Sequence, residues 1–212
     1  MPRFHPRLVL ASASPRRREL LAAASLDFLV DPGNGVEPAP LPGESPQDYA
    51  LRVARAKALA VAPRRPGAVV LAADTVVAFG KEIMGKPADA GEAEAMISLL
   101  CGFSGDPAQD DLGVRSHVVV TAFVLVDCRG AAQGDDAGAL RRIERAVSTT
   151  VAMALQRAET IRDYAASGEP LDKAGGYAIQ GRGGFLVKEI FGSYSNVVGL
   201  PLAEVMEALQ DL

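Results

Sequence analysis

The first residues that could do chemistry lie in a turn at 12–17, where three arginines follow Ser12, Ser14 and a proline. The apolar run before this turn predicts a buried strand, and Ser14 with the following proline predicts the start of a helix. Free N–H groups at a helix N-terminus favour an anion, whereas the helix dipole disfavours Arg16 and Arg17 there by about 0.3–1 kcal/mol each. A bound polyphosphate would pair with both arginines and amides. The alternative interpretation is a solvated basic turn.

Asp74 and Thr75 directly follow an apolar run at 68–73. A continuous apolar run is typical of a strand that is covered on both faces. We expect this strand to end at the two polar residues, at the edge where open α/β sheets bind ligands. A predicted hairpin at 76–84 then brings Lys86 back toward the same edge. An alternative for Asp74 is a structural acid that caps the next turn.

Glu37 and Lys57 add a second carboxylate and another cation. Glu37 lies in an irregular segment rich in proline and glycine, and Lys57 lies in the last two turns of a helix predicted at 46–62. Two carboxylates can share a hard divalent cation such as Mg²⁺, so Asp74 and Glu37 predict a metal site. Cations neutralise charge on phosphate oxygens while a carboxylate activates water, which suits phosphoryl chemistry. Lys57 could instead be a solvated lysine near a helix end.

The composition excludes several classes of protein. A chain of 212 residues with 49% hydrophobic and 5% aromatic residues and no tryptophan favours a sheet covered by helices. A net charge of −4 and few aromatic residues argue against a nucleic-acid partner. Cys101 and Cys128 have no spacing typical of zinc sites, and no run approaches the roughly 20 apolar residues of a membrane span. We expect a cytoplasmic protein without a membrane partner.

A second informative segment, 168–184, holds six glycines. Glycine at this density indicates either a slack loop or a backbone that closely approaches a ligand. The apolar residues at 177–179 interrupt it, so we expect them to pack on the body of the protein and to hold Gln180 in place. The polar segment at 103–114 predicts a flexible surface loop.

Several motifs, taken in order, resemble those of the Maf family of nucleoside triphosphate pyrophosphatases. They are SASPRR at 12–17, ADTVV at 73–77, GKP at 85–87, DKAG at 172–175, IQG at 179–181 and NVVGLP at 196–201. The match covers almost the whole chain, so we expect one domain over 1–212, with 103–114 as an inserted loop. The resemblance implies an α/β fold in which an elongated mixed sheet is flanked by helices and two lobes surround a cleft. It also implies a homodimer.

The resemblance implies hydrolysis of a nucleoside triphosphate to the monophosphate and pyrophosphate, with Mg²⁺ or Mn²⁺. Asp74 would be the general base or a metal-bound carboxylate, with Glu37 as its partner in the metal site. Lys57 and Lys86 would hold the phosphates. In members of the family that the chain resembles, a second acid usually lies near the position of Glu37.

Five further residues would bind the substrate. By the same resemblance, Ser12 and Arg17 hold the triphosphate tail, and the base is chosen by Arg16, Thr75 and Gln180. The intact DKAG and IQG motifs favour the branch that acts on dTTP and UTP, and the Gln180 amide can both donate to and accept from a uracil or thymine edge. Two alternatives stay open: a 7-methylguanosine triphosphate pyrophosphatase, and a nucleotide-sensing regulator of cell division without catalysis.

Overall fold

The computed structural model describes residues 7–33, 37–102, 115–131 and 140–212. The loop predicted at 103–114 lies outside these ranges. The strands are Arg7–Leu10 (β1), Phe28–Val30 (β2), Ala68–Phe79 (β3), Glu82–Met84 (β4), Ser116–Asp127 (β5), Arg142–Met153 (β6) and Val187–Phe191 (β7). The helices are Pro15–Ala23 (α1), Pro46–Val61 (α2), Ala90–Cys101 (α3), Ala158–Ala165 (α4), Tyr194–Val198 (α5) and Leu202–Gln210 (α6).

The seven strands form one mixed sheet in the order β2-β1-β3-β5-β6-β7, with β4 paired to β3. β1 lies parallel to both of its neighbours, with Leu8 opposite Phe28 on β2 and opposite Val69 on β3. β4 pairs with β3, and β7 with β6, in antiparallel fashion. The predicted α/β class, with a mixed sheet flanked by helices, is confirmed. No helix in the described ranges combines the length and apolar character needed to cross a bilayer.

Backbone contacts divide the chain into two compact units. Unit 1 contains 1–75, 121–147 and 199–212, and unit 2 contains 76–120 and 148–198. The long strands β3, β5 and β6 each contribute residues to both units. A single domain over 1–212 therefore stays a prediction.

In unit 1, the core forms where α1 and α6 cover the parallel strands. Leu8 and Leu71 of the sheet and Leu21 of α1 are fully buried in one apolar cluster, which also includes Val205 and Leu209 of α6. α1 begins as predicted, because the Ser14 hydroxyl accepts a hydrogen bond from the Arg17 N–H and Pro15 occupies the first helical position.

The prediction that the strand ends at Asp74 and Thr75 is wrong. β3 continues to Phe79 and turns through Gly80 into β4, so the predicted hairpin is present. Four apolar residues follow Thr75 in β3, and their burial and pairing as strand residues outweigh the two polar positions in an otherwise apolar run. Asp74 therefore lies in the middle of a long strand, and consecutive side chains there face opposite sides of the sheet.

In unit 2, α3 and α4 pack on a second apolar cluster that includes Tyr177. Tyr177 is 6% exposed, and its hydroxyl lies 2.6 Å from Nε2 of His117, which is 2% exposed. The two rings meet edge to face at 5.3 Å. The segment before Gln180 is thus packed on the sheet, as the sequence predicts for Tyr177.

Burial of His117 makes the stability of the fold sensitive to mild acid. Burial lowers the pKa of His117 from 6.5 to about 4, so the unfolded chain binds the proton more tightly between these pH values. The free energy of unfolding should fall as pH drops through this window, by on the order of 1 kcal/mol per pH unit. Urea unfolding at several pH values would measure the slope. His117→Gln should remove this contribution; an equal slope in both proteins would contradict the prediction.

Candidate active site

The ammonium of Lys57 joins the two carboxylates that the sequence predicts to share a metal. Its Nζ donates to Glu37 Oε1 at 2.6 Å and to Asp74 Oδ1 at 2.7 Å. The side chain of Asp74 is 8% exposed and that of Glu37 is 45% exposed. Lys57 therefore connects a buried carboxylate on β3 to a solvated one in the loop before α2.

Burial sets the protonation behaviour of Asp74. Loss of hydration raises the pKa of this carboxyl above its ordinary value, and the nearby cations Lys57 and Arg17 only partly oppose the shift. A carboxylate with a raised pKa is a stronger proton acceptor. This arrangement suits a general base that takes a proton from water.

Arg17 is 8% exposed and is held by three neutral oxygens. Its guanidinium donates to Gly199 O at 2.8 Å, to Ser12 Oγ at 3.0 Å and to Thr75 Oγ1 at 3.2 Å. Burial lowers the pKa of Arg17, while Asp74 and Glu37 oppose this effect. Arg17 thus belongs to the interior of unit 1 rather than to an open basic turn.

Thr75 takes part in the same hydrogen-bond group. Its hydroxyl accepts from Arg17 and lies 3.0 Å from the hydroxyl of Thr121, which is fully buried on β5. Asp74 contacts Lys57 of α2, whereas Thr75 contacts Arg17 of α1, as expected for neighbouring strand residues that face opposite sides. One strand thereby positions both groups of polar residues in unit 1.

The remaining predicted site residues have different surroundings. Arg16 is half-buried in the first turn of α1 in unit 1. Lys86 is exposed after β4, and Gln180 is half-buried before the turn at 181–183; both belong to unit 2. Within unit 2 their segments are tied together, because the Gly175 N–H donates to Gly85 O at 3.0 Å.

Two residues of α2 that the sequence analysis missed hold the segment around Glu37. The Tyr49 hydroxyl donates to Pro38 O at 3.0 Å, and Arg52 donates to Ala39 O at 3.1 Å. Arg52 also makes two 2.7 Å hydrogen bonds to the carboxylate of Glu44 at the far end of the segment. Tyr49 and Lys57 are eight residues apart on a helix and so share a face, a signal that the sequence contained.

The donor set around Lys57 fits a hard divalent cation. Both carboxylates contact the same positively charged atom, and Mg²⁺ in substrate-processing sites is commonly held by one or two carboxylates together with substrate phosphates. In the part of the chain that the structure describes, no cluster of three or more His, Cys, Asp or Glu residues could enclose a metal by itself. Asp74 and Glu37 therefore fit a metal that the substrate helps to hold.

Comparison with known proteins now decides the family. The family model described as "Maf-like protein" matches residues 7–212. The chain belongs to the Maf family. A Maf relative from Anaeromyxobacter dehalogenans, named dTTP/UTP pyrophosphatase, is 49% identical over 205 residues, which cover 97% of this chain and 93% of the relative. A protein of the same name from a Geobacter species is 47% identical over 203 residues, covering 96% and 94%.

Two solved structures resemble this Maf chain more distantly. A nucleoside-triphosphatase, or dITP/XTP pyrophosphatase, from Mycobacterium abscessus has 16% identity and a TM-score of 0.38, covering 70% of this chain and 74% of its own. A HAM1 protein from Coxiella burnetii has 19% identity and a TM-score of 0.39, covering 71% and 74%. These similarities are too weak to bear on the function of the Maf chain.

Replacing Asp74 tests whether its burial opposes folding. At neutral pH the ionised carboxylate is the form that burial disfavours, so the neutral amide of Asp74→Asn should leave the melting temperature unchanged or raise it. Differential scanning calorimetry at pH 7 would measure this. Thr121→Val serves as a control that should lower the melting temperature, because it removes the buried hydroxyl beside Thr75. A clearly less stable Asp74→Asn would contradict the prediction.

Proposed function

We propose that this chain hydrolyses dTTP and UTP to the nucleoside monophosphate and pyrophosphate. Its membership of the Maf family and the names of relatives at 47–49% identity support this activity. The observation on which the proposal mainly rests is the placement of Asp74, a buried carboxylate with a raised pKa, beside the ammonium of Lys57 in unit 1. A proton acceptor paired with a cation is what water attack on a phosphoanhydride needs.

In the proposed reaction, water adds across the anhydride bond between the α- and β-phosphates. A new bond forms from the water oxygen to phosphorus, the anhydride bond breaks, and pyrophosphate leaves with the electrons of that bond. Asp74 takes the proton of the water at Oδ2, since Oδ1 accepts from Lys57. Lys57 and Lys86 attract the phosphates, and Lys57 keeps Asp74 oriented.

Arg17 and Ser12 would bind the triphosphate tail. Burial of a guanidinium raises the free energy of the folded protein unless an anion pairs with its charge. The three oxygens that hold Arg17 are neutral. Among the described residues, these bonds use three of its five N–H groups, so two N–H groups of the fork remain for phosphate oxygens. A polyphosphate would supply the negative charge that these neutral oxygens do not.

The proposal gives base selection to Arg16, Thr75 and Gln180. The Gln180 amide both donates and accepts, which matches the N3–H donor and O4 acceptor of uracil and thymine. The hydrogen bonds of Thr75 to Arg17 and Thr121 support an additional role, which is to hold these two neighbouring residues in place.

A divalent cation, Mg²⁺ or Mn²⁺, would be held by Asp74 and Glu37 and would neutralise charge on the phosphate oxygens. We also propose that the protein acts in the cytoplasm as a homodimer formed from single-domain chains. Light scattering after size-exclusion chromatography would report the mass of the assembly.

A panel of substrates tests the reaction. Pyrophosphate release should be fastest with dTTP and UTP, slower with CTP and slowest with GTP and 7-methylguanosine triphosphate, in Mg²⁺ or Mn²⁺. A preference for 7-methylguanosine triphosphate would identify the alternative enzyme instead. Binding of nucleotides without any turnover would support a sensor of nucleotides and overturn the proposed hydrolase.

Asp74→Asn should lower kcat for pyrophosphate release by about 10²-fold or more, because general-base catalysis contributes this much. UTP should still bind, as titration calorimetry would show. Asp127→Asn is the matched control: Asp127 is also an aspartate on a strand of unit 1, but it pairs with Arg129. If Asp74→Asn turned over as fast as Asp127→Asn, Asp74 would not be the base.

A further inference from the structure

Glu169 makes three hydrogen bonds that the proposed reaction does not use. Its Oε1 accepts from the Gly183 N–H at 3.0 Å and from the Tyr164 hydroxyl at 3.0 Å, and its Oε2 accepts from the Arg182 N–H at 3.2 Å. The carboxylate thus binds two consecutive backbone amides and one side chain of α4. We call the turn at 181–183 together with the Glu169 carboxylate the latch.

The latch lies directly after Gln180 in the chain. Gly181 has φ +75°, and a Cβ at this position would lie 3.2 Å from Oε2 of Glu169, so the turn and the carboxylate fit closely. On the other side of Gln180, Tyr177 is buried against His117, and the Gly175 N–H donates to Gly85 O. The backbone is therefore fixed both before and after Gln180.

A carboxylate is the group that suits this position. Each of the three donors needs an acceptor, and an ionised Glu offers only acceptors, whereas the amide of Gln would turn an NH₂ group toward one of them. Burial raises the pKa of Glu169, but the hydrogen bonds from Gly183, Arg182 and Tyr164 outweigh it and the net shift is downward. Glu169 thus remains ionised and keeps the latch closed near neutral pH.

We propose that Glu169 is a positioning residue for base selection, which acts by holding the 181–183 turn so that the Gln180 amide is presented in one orientation. This inference rests on the proposed function. UTP offers a donor at N3 and an acceptor at O4, and CTP offers the reverse pattern. An amide that can rotate fits either edge, whereas an amide held in one orientation fits only one of them. Release of the latch should therefore reduce discrimination between bases more than it reduces turnover.

Glu169→Gln should lower the ratio of kcat/KM for UTP to kcat/KM for CTP by about tenfold, the effect of one misplaced hydrogen bond. Gln180→Ala should lower the ratio similarly, and the double variant should lose no more than Gln180→Ala alone, because Glu169 acts through Gln180. Tyr164→Phe is the comparison: it removes one donor to Glu169 and an acceptor for the Ala178 N–H but leaves both amide bonds to Glu169, so the ratio should fall less than in Glu169→Gln.

A second pair of variants leaves Glu169 in place. Gly181→Ala should push against the carboxylate and lower the ratio in the same way. Gly67→Ala is its match, since Gly67 has φ +76° and open space around a Cβ and belongs to unit 1, so it brings similar backbone strain outside the latch. An unchanged ratio in both Glu169→Gln and Gly181→Ala, or additive losses in the double variant, would overturn the inference.

Hydrogen exchange separates this inference from the proposed function. Amides at 181–183 should exchange faster in Glu169→Gln than in Tyr164→Phe, whatever the substrate is. If wild type releases no pyrophosphate from UTP or dTTP, the proposed function fails. The ratio of kcat/KM values is then measured between the nucleotide that the protein hydrolyses fastest and the next fastest one. Equal exchange in both variants would overturn the latch itself.

Discussion

The site in unit 1 depends on one buried cation. Arg17 brings together three parts of the chain that are far apart in sequence: the turn after β1 through Ser12, the middle of β3 through Thr75, and the C-terminal segment through Gly199, 182 residues away. A buried guanidinium that meets neutral oxygens keeps its charge and loses hydration, which is costly in a folded protein. The proposed binding of a triphosphate at Arg17 would pair this charge with an anion.

β3 brings a second charged group close enough to act on the first, because the Asp74 carboxylate opposes the lowering of the Arg17 pKa by burial. Asp74 and Thr75 are consecutive, so one faces Lys57 on α2 and the other faces Arg17 on α1. Because both contacts come from one strand, β3 positions the acid and the arginine relative to each other without any loop. Glu37 lies in the loop before α2, and its segment is held by hydrogen bonds from Tyr49 and Arg52.

Local signals predicted much of the fold. The start of α1 at Ser14 and the hairpin after β3 follow from neighbouring residues, which is why the sequence was sufficient for them. The end of β3 was misplaced because strand length is set by pairing with distant strands, which an apolar run does not reveal. The burial of Arg17 could not be foreseen either, since its acceptor at Gly199 is a backbone carbonyl, and any residue type carries one.

Two carboxylates show why residue type alone does not assign a role. Burial dominates at Asp74, where the pKa is raised, whereas hydrogen bonds from Gly183, Arg182 and Tyr164 dominate at Glu169, where the pKa is lowered. A carboxylate that binds protons more readily suits proton transfer, and one that holds three donors in place suits a fixed, ionised support. The environment of each acid therefore favours Asp74 as the base and Glu169 as the support for the backbone after Gln180, although both are acids in motif-rich segments.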